Sequence, residues 1–196
     1  MINCRQNYCT LYIVRHGQTD WNLKEITQGE TNVPLNSEGI KQAKTLRKNL
    51  KDINFDVVFS SDLLRAKQTA EIISLERKLA IKTAKALRER RYGKYEGTPQ
   101  SEMREIYDTW EKLSRKERIS YKPYEGYETD EEIIGRYITF LREIVSHGGV
   151  MRVLLNHLSD ITYLTGTISN LAYIKLESDG VDFFIKDLHG IKNPNE

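Results

Sequence analysis

Short apolar runs alternate along this chain with stretches of helical periodicity, and that alternation narrows the possible folds more than any other feature. Leu11-Tyr12-Ile13-Val14 reads as a short buried strand. Asn36-Ser37-Glu38-Gly39 offers N-cap chemistry, and the stretch through Leu50 reads as an amphipathic helix with Ile40, Ala43, Leu46 and Leu50 on one face. Asp56 to Ser60 reads as a second strand. Leu64 to Ser74 reads as a second helix, with Ala66, Thr69, Ala70 and Ile73 inward, and a third strand follows near Ile81. Pro99 opens a charged helix through roughly Lys116, a good first-turn position for proline. Leu113 to Tyr127 is polar and rich in Tyr, Lys and Glu, an excursion from the core that could cover a site. Thr129 and Glu132 form a capping box for a further helix. Ala172 to Leu176 and Val181 to Ile185 read as a hairpin around Ser178-Asp179-Gly180. This alternation predicts an α/β sandwich with a mostly parallel central sheet, whose ligands sit at the carboxyl ends of strands.

The first strand runs directly into Arg15-His16-Gly17-Gln18-Thr19-Asp20-Trp21-Asn22. Gly17 allows a sharp turn and close approach of a ligand. Taken alone, Arg-His-Gly is more often a satisfied core histidine beside a surface arginine. The second strand changes the balance: it ends in Ser60-Ser61-Asp62, with Arg65 at the start of a helix. Two guanidinium forks, Arg15 and Arg65, each just past a strand end, suit a phosphate dianion, and a helix N-terminus adds N–H groups. In Leu87-Arg88-Glu89-Arg90-Arg91-Tyr92-Gly93 one carboxyl sits among three arginines, which makes Glu89 a candidate proton donor. In Val145-Ser146-His147-Gly148-Gly149 a histidine again follows an apolar step and precedes glycines.

Composition limits the partners. The 196 residues suffice for one domain, 1–196, and are short for two. A net charge of +2, with acids and bases mixed throughout, excludes a block of like charge for nucleic acid or an anionic membrane. No stretch is apolar for long enough to span a bilayer, and the polar first residues lack the apolar core of a secretory signal. Cys4 and Cys9 read as two free thiols ahead of a single Cys4–Cys9 bridge, with the cytoplasm as the expected compartment. No Cys-x-x-Cys, His-Glu-x-x-His, Asp-x-Asp or P-loop pattern occurs, so no metal and no cofactor is expected.

With these residues in view, the chain resembles the histidine phosphatases, the phosphoglycerate mutase-like superfamily. Arg15-His16-Gly17 with Thr19 and Asn22 is similar to the family signature, as is Gln28-Gly29 followed by Pro34-Leu35 and Gly39. Ser60 to Ala66, Leu87 to Gly97 and Ser146 to Arg152 match further blocks in the family's order, from about Leu11 onward. The resemblance implies a three-layer α/β/α sandwich and a metal-independent, acid-type phosphoric monoester hydrolase. It implies that His16 attacks phosphorus and forms a phosphohistidine. Arg15, Arg65 and His147 hold the phosphoryl oxygens, and Glu89 protonates the leaving oxygen. It implies substrate-binding roles for Asn22, Gln28, Gly29, Arg90 and Tyr92, and a substrate-capping insertion at about 93–127.

Two alternatives stand beside this reading. The helix from Thr129 leaves little room for a strand before His147, so a second register makes Val150 to Leu155 the strand and places His157 at its end. The glycines after His147 favour the first register. His189 has no such context and reads as a surface or hairpin residue. The segment after Tyr92-Gly93 lacks the mutase-like Gly-Leu-Asn-Lys pattern, which favours hydrolysis of a small phosphorylated metabolite. A phosphoglycerate mutase, or a relative that binds phosphate without turnover, is the alternative; the oligomeric state is left unassigned.

Overall fold

The computed structural model describes residues 9–138, 140, 145–146, 168–178 and 183–191. Cys4 lies outside them. The first strand, β1 (Cys9–Arg15), runs beside β5 (Ile168–Ser178), and β5 pairs with β6 (Phe183–Ile191). On the other side stand β4 (Val145–Ser146), β2 (Val58–Ser60) and β3 (Ile81–Thr83), giving the order β3-β2-β4-β1-β5-β6. β3, β2, β4 and β1 pair in parallel, whereas β1–β5 and β5–β6 are antiparallel.

The sheet is therefore mixed, which corrects the expected mostly parallel one. The parallel β2 and β3 are three residues long, while β5 and β6 have 11 and 9. The hairpin was legible, but its docking beside β1 is a long-range pairing that no local pattern carries. β5 and β6 also extend well beyond the segments expected from the sequence.

Alternation along β1 sorts its side chains onto two faces. Leu11 and Ile13 join Ile174 and Leu176 of β5, with Leu87, and with Ile133 and Tyr137 of α6 (Asp130–Ile138). Val14 faces the other way, onto Ala43, Leu46 and Leu50 at α2 (Ser37–Asn49) and Ala70 and Ile73 of α3 (Leu64–Ser74). Helices thus cover both faces, the three layers expected. Each fully buried aliphatic side chain contributes about 1.5–3 kcal/mol through lost contact with water.

Asn36 caps α2 by accepting from Gly39 N at 2.8 Å. Ile40 is exposed, unlike its expected partners on that face. Ala66, Thr69, Ala70 and Ile73 of α3 are all buried as expected. The charged helix expected from Pro99 to Lys116 is broken. A 3-10 turn, Gln100–Met103, leads into α4 (Arg104–Lys112), and α5 (Arg115–Ser120) starts anew. The restart has a local cause: Ser114 and Glu117 form a capping box, with Ser114 N donating to Glu117 Oε2 at 2.9 Å. The expected box of Thr129 and Glu132 caps α6. That helix ends at Ile138 and a separate strand, β4, follows at Val145–Ser146, so there is room for a strand before His147.

The turn after β1 lies directly on the first turn of α2. A Cβ on Gly17 would stand 2.6 Å from Gly39 O, and one on Gly39 would stand 2.1 Å from Gln18 O. Both obstacles are backbone and cannot swing aside. Gly39→Ala therefore separates α2 from the turn that carries His16, at an expected cost of about 3 kcal/mol. Thermal unfolding should show a fall in Tm of roughly 6–12 °C; an unchanged Tm would disprove the close approach.

Candidate functional site

β1, β2 and β4 point their carboxyl ends the same way, and the chemistry-bearing residues follow those ends. His16 comes directly after β1 and is 2 % exposed. Its Nδ1 lies 2.7 Å from Gly17 O. A carbonyl can only accept, so this contact places the ring proton on Nδ1 and leaves the lone pair on Nε2. The backbone around it is fixed as well. Gly17 N donates to Thr69 Oγ1 at 3.1 Å, and Asn170 Nδ2 donates to His16 O at 3.1 Å. Burial holds the His16 pKa well below the usual histidine value, and Arg65 and Arg15 lower it further against the opposing Gly17 contact. The ring is therefore neutral at neutral pH.

Arg65, in the first turn of α3, is wholly buried. Its Nη1 donates to Thr31 O at 2.8 Å and its Nη2 to Gly29 O at 2.7 Å. Its Nε has no hydrogen-bond partner among the described residues. Burial pushes its pKa down to about 10; the carboxylates of Glu89 and Glu96 act in the opposite direction. It stays a cation at neutral pH. Gly29 has φ +50°, a left-handed conformation that turns its carbonyl to Arg65 without the cost a side chain would add. Arg15 is half-buried and donates through Nη1 to Ile168 O on β5.

Glu89 is nearly buried, and its Oε1 accepts from Arg90 N at 2.8 Å. Its charge is felt at Arg65 and at Tyr92, so His16, Arg15, Arg65 and Glu89 share one electrostatic neighbourhood. Tyr92 borders it: burial raises its phenol pKa well above 10, with Tyr107 and Glu89 adding to the rise.

Other expected site residues stand one step back. Asn22 Oδ1 accepts from Thr19 N at 3.0 Å and Asn22 N donates to Thr19 Oγ1 at 3.1 Å, so the two form the capping box of α1 (Asp20–Leu23). Gln28 Oε1 accepts from Thr19 Oγ1 at 2.9 Å. Arg90 is turned to the start of α6, donating to Glu128 O at 2.6 Å and pairing with Asp130, with Tyr127 beneath its guanidinium. His147 and His157 lie outside the described residues. His189 is exposed on β6 and stacks on Tyr173.

Sequence reasoning missed several supports. Thr69 was read as an inward helix residue, and only the fold shows it under Gly17. Glu96 reaches both Thr31 Oγ1 and Tyr92 N at 3.1 Å, joining two loops. Among the described residues no three His, Cys, Asp or Glu side chains gather as a metal-binding group, and no helix is long and apolar enough to cross a membrane.

Comparison with known proteins agrees with this geometry. The model of the histidine phosphatase superfamily (branch 1) matches residues 11–189. The uncharacterized phosphatase PhoE of Bacillus subtilis is 36% identical over 158 residues, 75% of this chain and 76% of its own. Phosphoglycerate mutase-like protein 4 of Arabidopsis thaliana is 34% identical over 161 residues, 76% and 70% of the two chains. The crystal structure of a phosphoglycerate mutase from Bacillus anthracis superposes with a TM-score of 0.79 at 26% identity, covering 94% of this chain and 93% of that one. By match and fold, the chain belongs to the histidine phosphatase superfamily, branch 1.

Proposed function

We propose that this chain is a phosphatase that hydrolyses phosphomonoesters of small metabolites through a phosphohistidine on His16. One observation carries the reading: a buried, neutral imidazole whose Nδ1 is tied to a carbonyl, so that Nε2 keeps its lone pair beside two arginines. Nε2 attacks phosphorus as the ester P–O bond breaks, and Glu89 gives its proton to the leaving oxygen. Water then attacks the phosphohistidine, Glu89 takes the water proton, and inorganic phosphate leaves with His16 restored. Arg15 and Arg65 hold the phosphoryl oxygens, and their charge does the work that a metal ion does elsewhere.

His147 is the proposed second histidine. The parallel register sets Ser146 beside Arg15, and in the sequence the next residue after each is a histidine. The 93–127 stretch is proposed as the substrate-selecting cap. Its support is that Tyr124 donates its hydroxyl to Tyr92 O at 2.7 Å, which ties the excursion to the segment bearing Glu89.

Hydrolysis of p-nitrophenyl phosphate in EDTA tests the mechanism. The wild type should turn over, and His16→Ala should lose at least about a thousandfold. His147→Ala should lose on the order of a hundredfold with His157→Ala intact. The reverse pattern in the two histidine variants moves the role to His157, and activity abolished by EDTA overturns the metal-free route.

The neutral nucleophile has a second consequence. At neutral pH and above, neither the folded nor the unfolded chain protonates this histidine. As pH falls through about 6.5 the unfolded chain takes up a proton that buried His16 resists, so stability is lost on acidification. Between pH 7 and pH 5 the urea midpoint of the wild type should therefore fall further than that of His16→Asn. Parallel falls in both proteins would show that His16 titrates normally.

A further inference from the structure

Glu89 sits on a stretch, Arg88 to Tyr92, that belongs to no helix or strand, so no backbone ladder fixes its carboxyl. Its Oε1 is held by the next backbone N–H, that of Arg90. Any shift of the stretch therefore moves the carboxyl with it. Its carbonyls at Arg88 and Glu89 are held from α6. Arg136 Nη1 donates to Ala86 O at 2.6 Å and to Arg88 O at 2.7 Å, and Nη2 donates to Glu89 O at 3.3 Å. The same guanidinium is locked from behind by Glu128, through Nε to Oε1 at 2.6 Å and Nη2 to Oε2 at 2.9 Å. A guanidinium has five N–H donors in a rigid fork, and all five are used here. Glu128 closes the circuit: its Oε2 accepts from Arg91 N at 3.1 Å, and its own N donates to Arg91 O at 3.0 Å.

We propose that Arg136 is the positioning residue for Glu89, reading the carbonyls of Ala86, Arg88 and Glu89 with a fork that Glu128 holds still, and so setting where the acid meets the leaving oxygen. The proposal rests on the reading of Glu89 as the proton donor. Arg136 touches neither substrate nor the transferred phosphoryl group. Its effect is geometric, and displacements of about 1 Å at a reacting group can cost up to roughly a hundredfold in rate. Lysine keeps the charge but offers one point donor in place of the planar fork, so it cannot hold three carbonyls and a carboxylate together.

The test uses a leaving-group series on the full-length chain. kcat/KM is measured for phenyl, p-nitrophenyl and 2,4-dinitrophenyl phosphate. This ratio stops at formation of the phosphohistidine, and an acidic phenol departs without a proton while phenol itself needs one. Glu89→Gln sets the reference, with a loss of about a hundredfold on phenyl phosphate and little on the dinitrophenyl ester. Arg136→Lys should follow the same slope, losing about tenfold on phenyl phosphate and under about twofold on the dinitrophenyl ester. The double variant Arg136→Gln, Glu128→Gln strands no buried charge, should show the same slope, and reports in place of Arg136→Lys if that variant does not fold. A merely structural role lowers all three esters together. Equal losses, or none, in these variants beside a steep Glu89→Gln series would overturn the proposal. A flat Glu89→Gln series would instead remove the acid role itself.

Discussion

The site depends on a cation in a place where a cation is costly. Arg65 is fully buried, and taking a guanidinium out of water costs several kcal/mol unless its donors and its charge are met. Two carbonyls, Gly29 and Thr31, meet two of its nitrogens, and the charges of Glu89 and Glu96 lie close enough to favour its charged form. That solution dictates the loop between α1 and α2, because Gly29 must turn its carbonyl inward and Glu96 must bridge Thr31 and Tyr92. It also adds to the burial that keeps His16 neutral, since a third positive charge beside Arg15 and Arg65 is disfavoured.

The two halves of the sheet divide the work. Strands of the parallel half deliver chain ends: β1 runs into His16, and β2 runs into the loop before α3, which carries Arg65. α2 and α3 pack on one face of the sheet and α6 on the other. The antiparallel β5 and β6 supply the extended framework. β5 also reaches the site directly, with Ile168 O accepting from Arg15 and Asn170 donating to His16 O. At the outer edge, β6 carries Lys186 at an irregularity of register, where it pairs with Glu177 at 3.1 Å. A lysine at a bulge is a common device for keeping an edge strand from recruiting another chain.

What the sequence disclosed was local, and what it hid was distant. Thr129 with Glu132, the N-cap at Asn36 and the inward face of α3 depend on residues three or four apart, and all are present. The break between α4 and α5 was equally local, and Ser114 with Glu117 could have been read as a second capping box. The mixed sheet was not legible, because β1 pairs with residues more than 150 positions away. Thr69 beneath Gly17 and Asn170 on His16 O were hidden for the same reason. His16, Arg15, Arg65 and Glu89 were legible as candidates because each interrupts an apolar run or follows a strand end with an ionisable group.

The three arginines around Glu89 show how a sequence pattern can mislead on electrostatics. Read along the chain, Arg88, Arg90 and Arg91 surround the carboxyl with positive charge. In three dimensions each is drawn elsewhere. Arg88 makes a two-point contact with Asp62 at 2.7 and 2.6 Å, Arg90 goes to Glu128 O and Asp130, and Arg91 reaches Gly126 O at 3.2 Å. The Arg88 carbonyl is held by Arg136, and the Arg91 carbonyl and N–H by Glu128. These side chains act as anchors that fasten an irregular strip to its neighbours on both sides. An irregular strip is what places one carboxyl beside Arg65 without a strand of its own, and it keeps one shape only because several charged side chains hold it there.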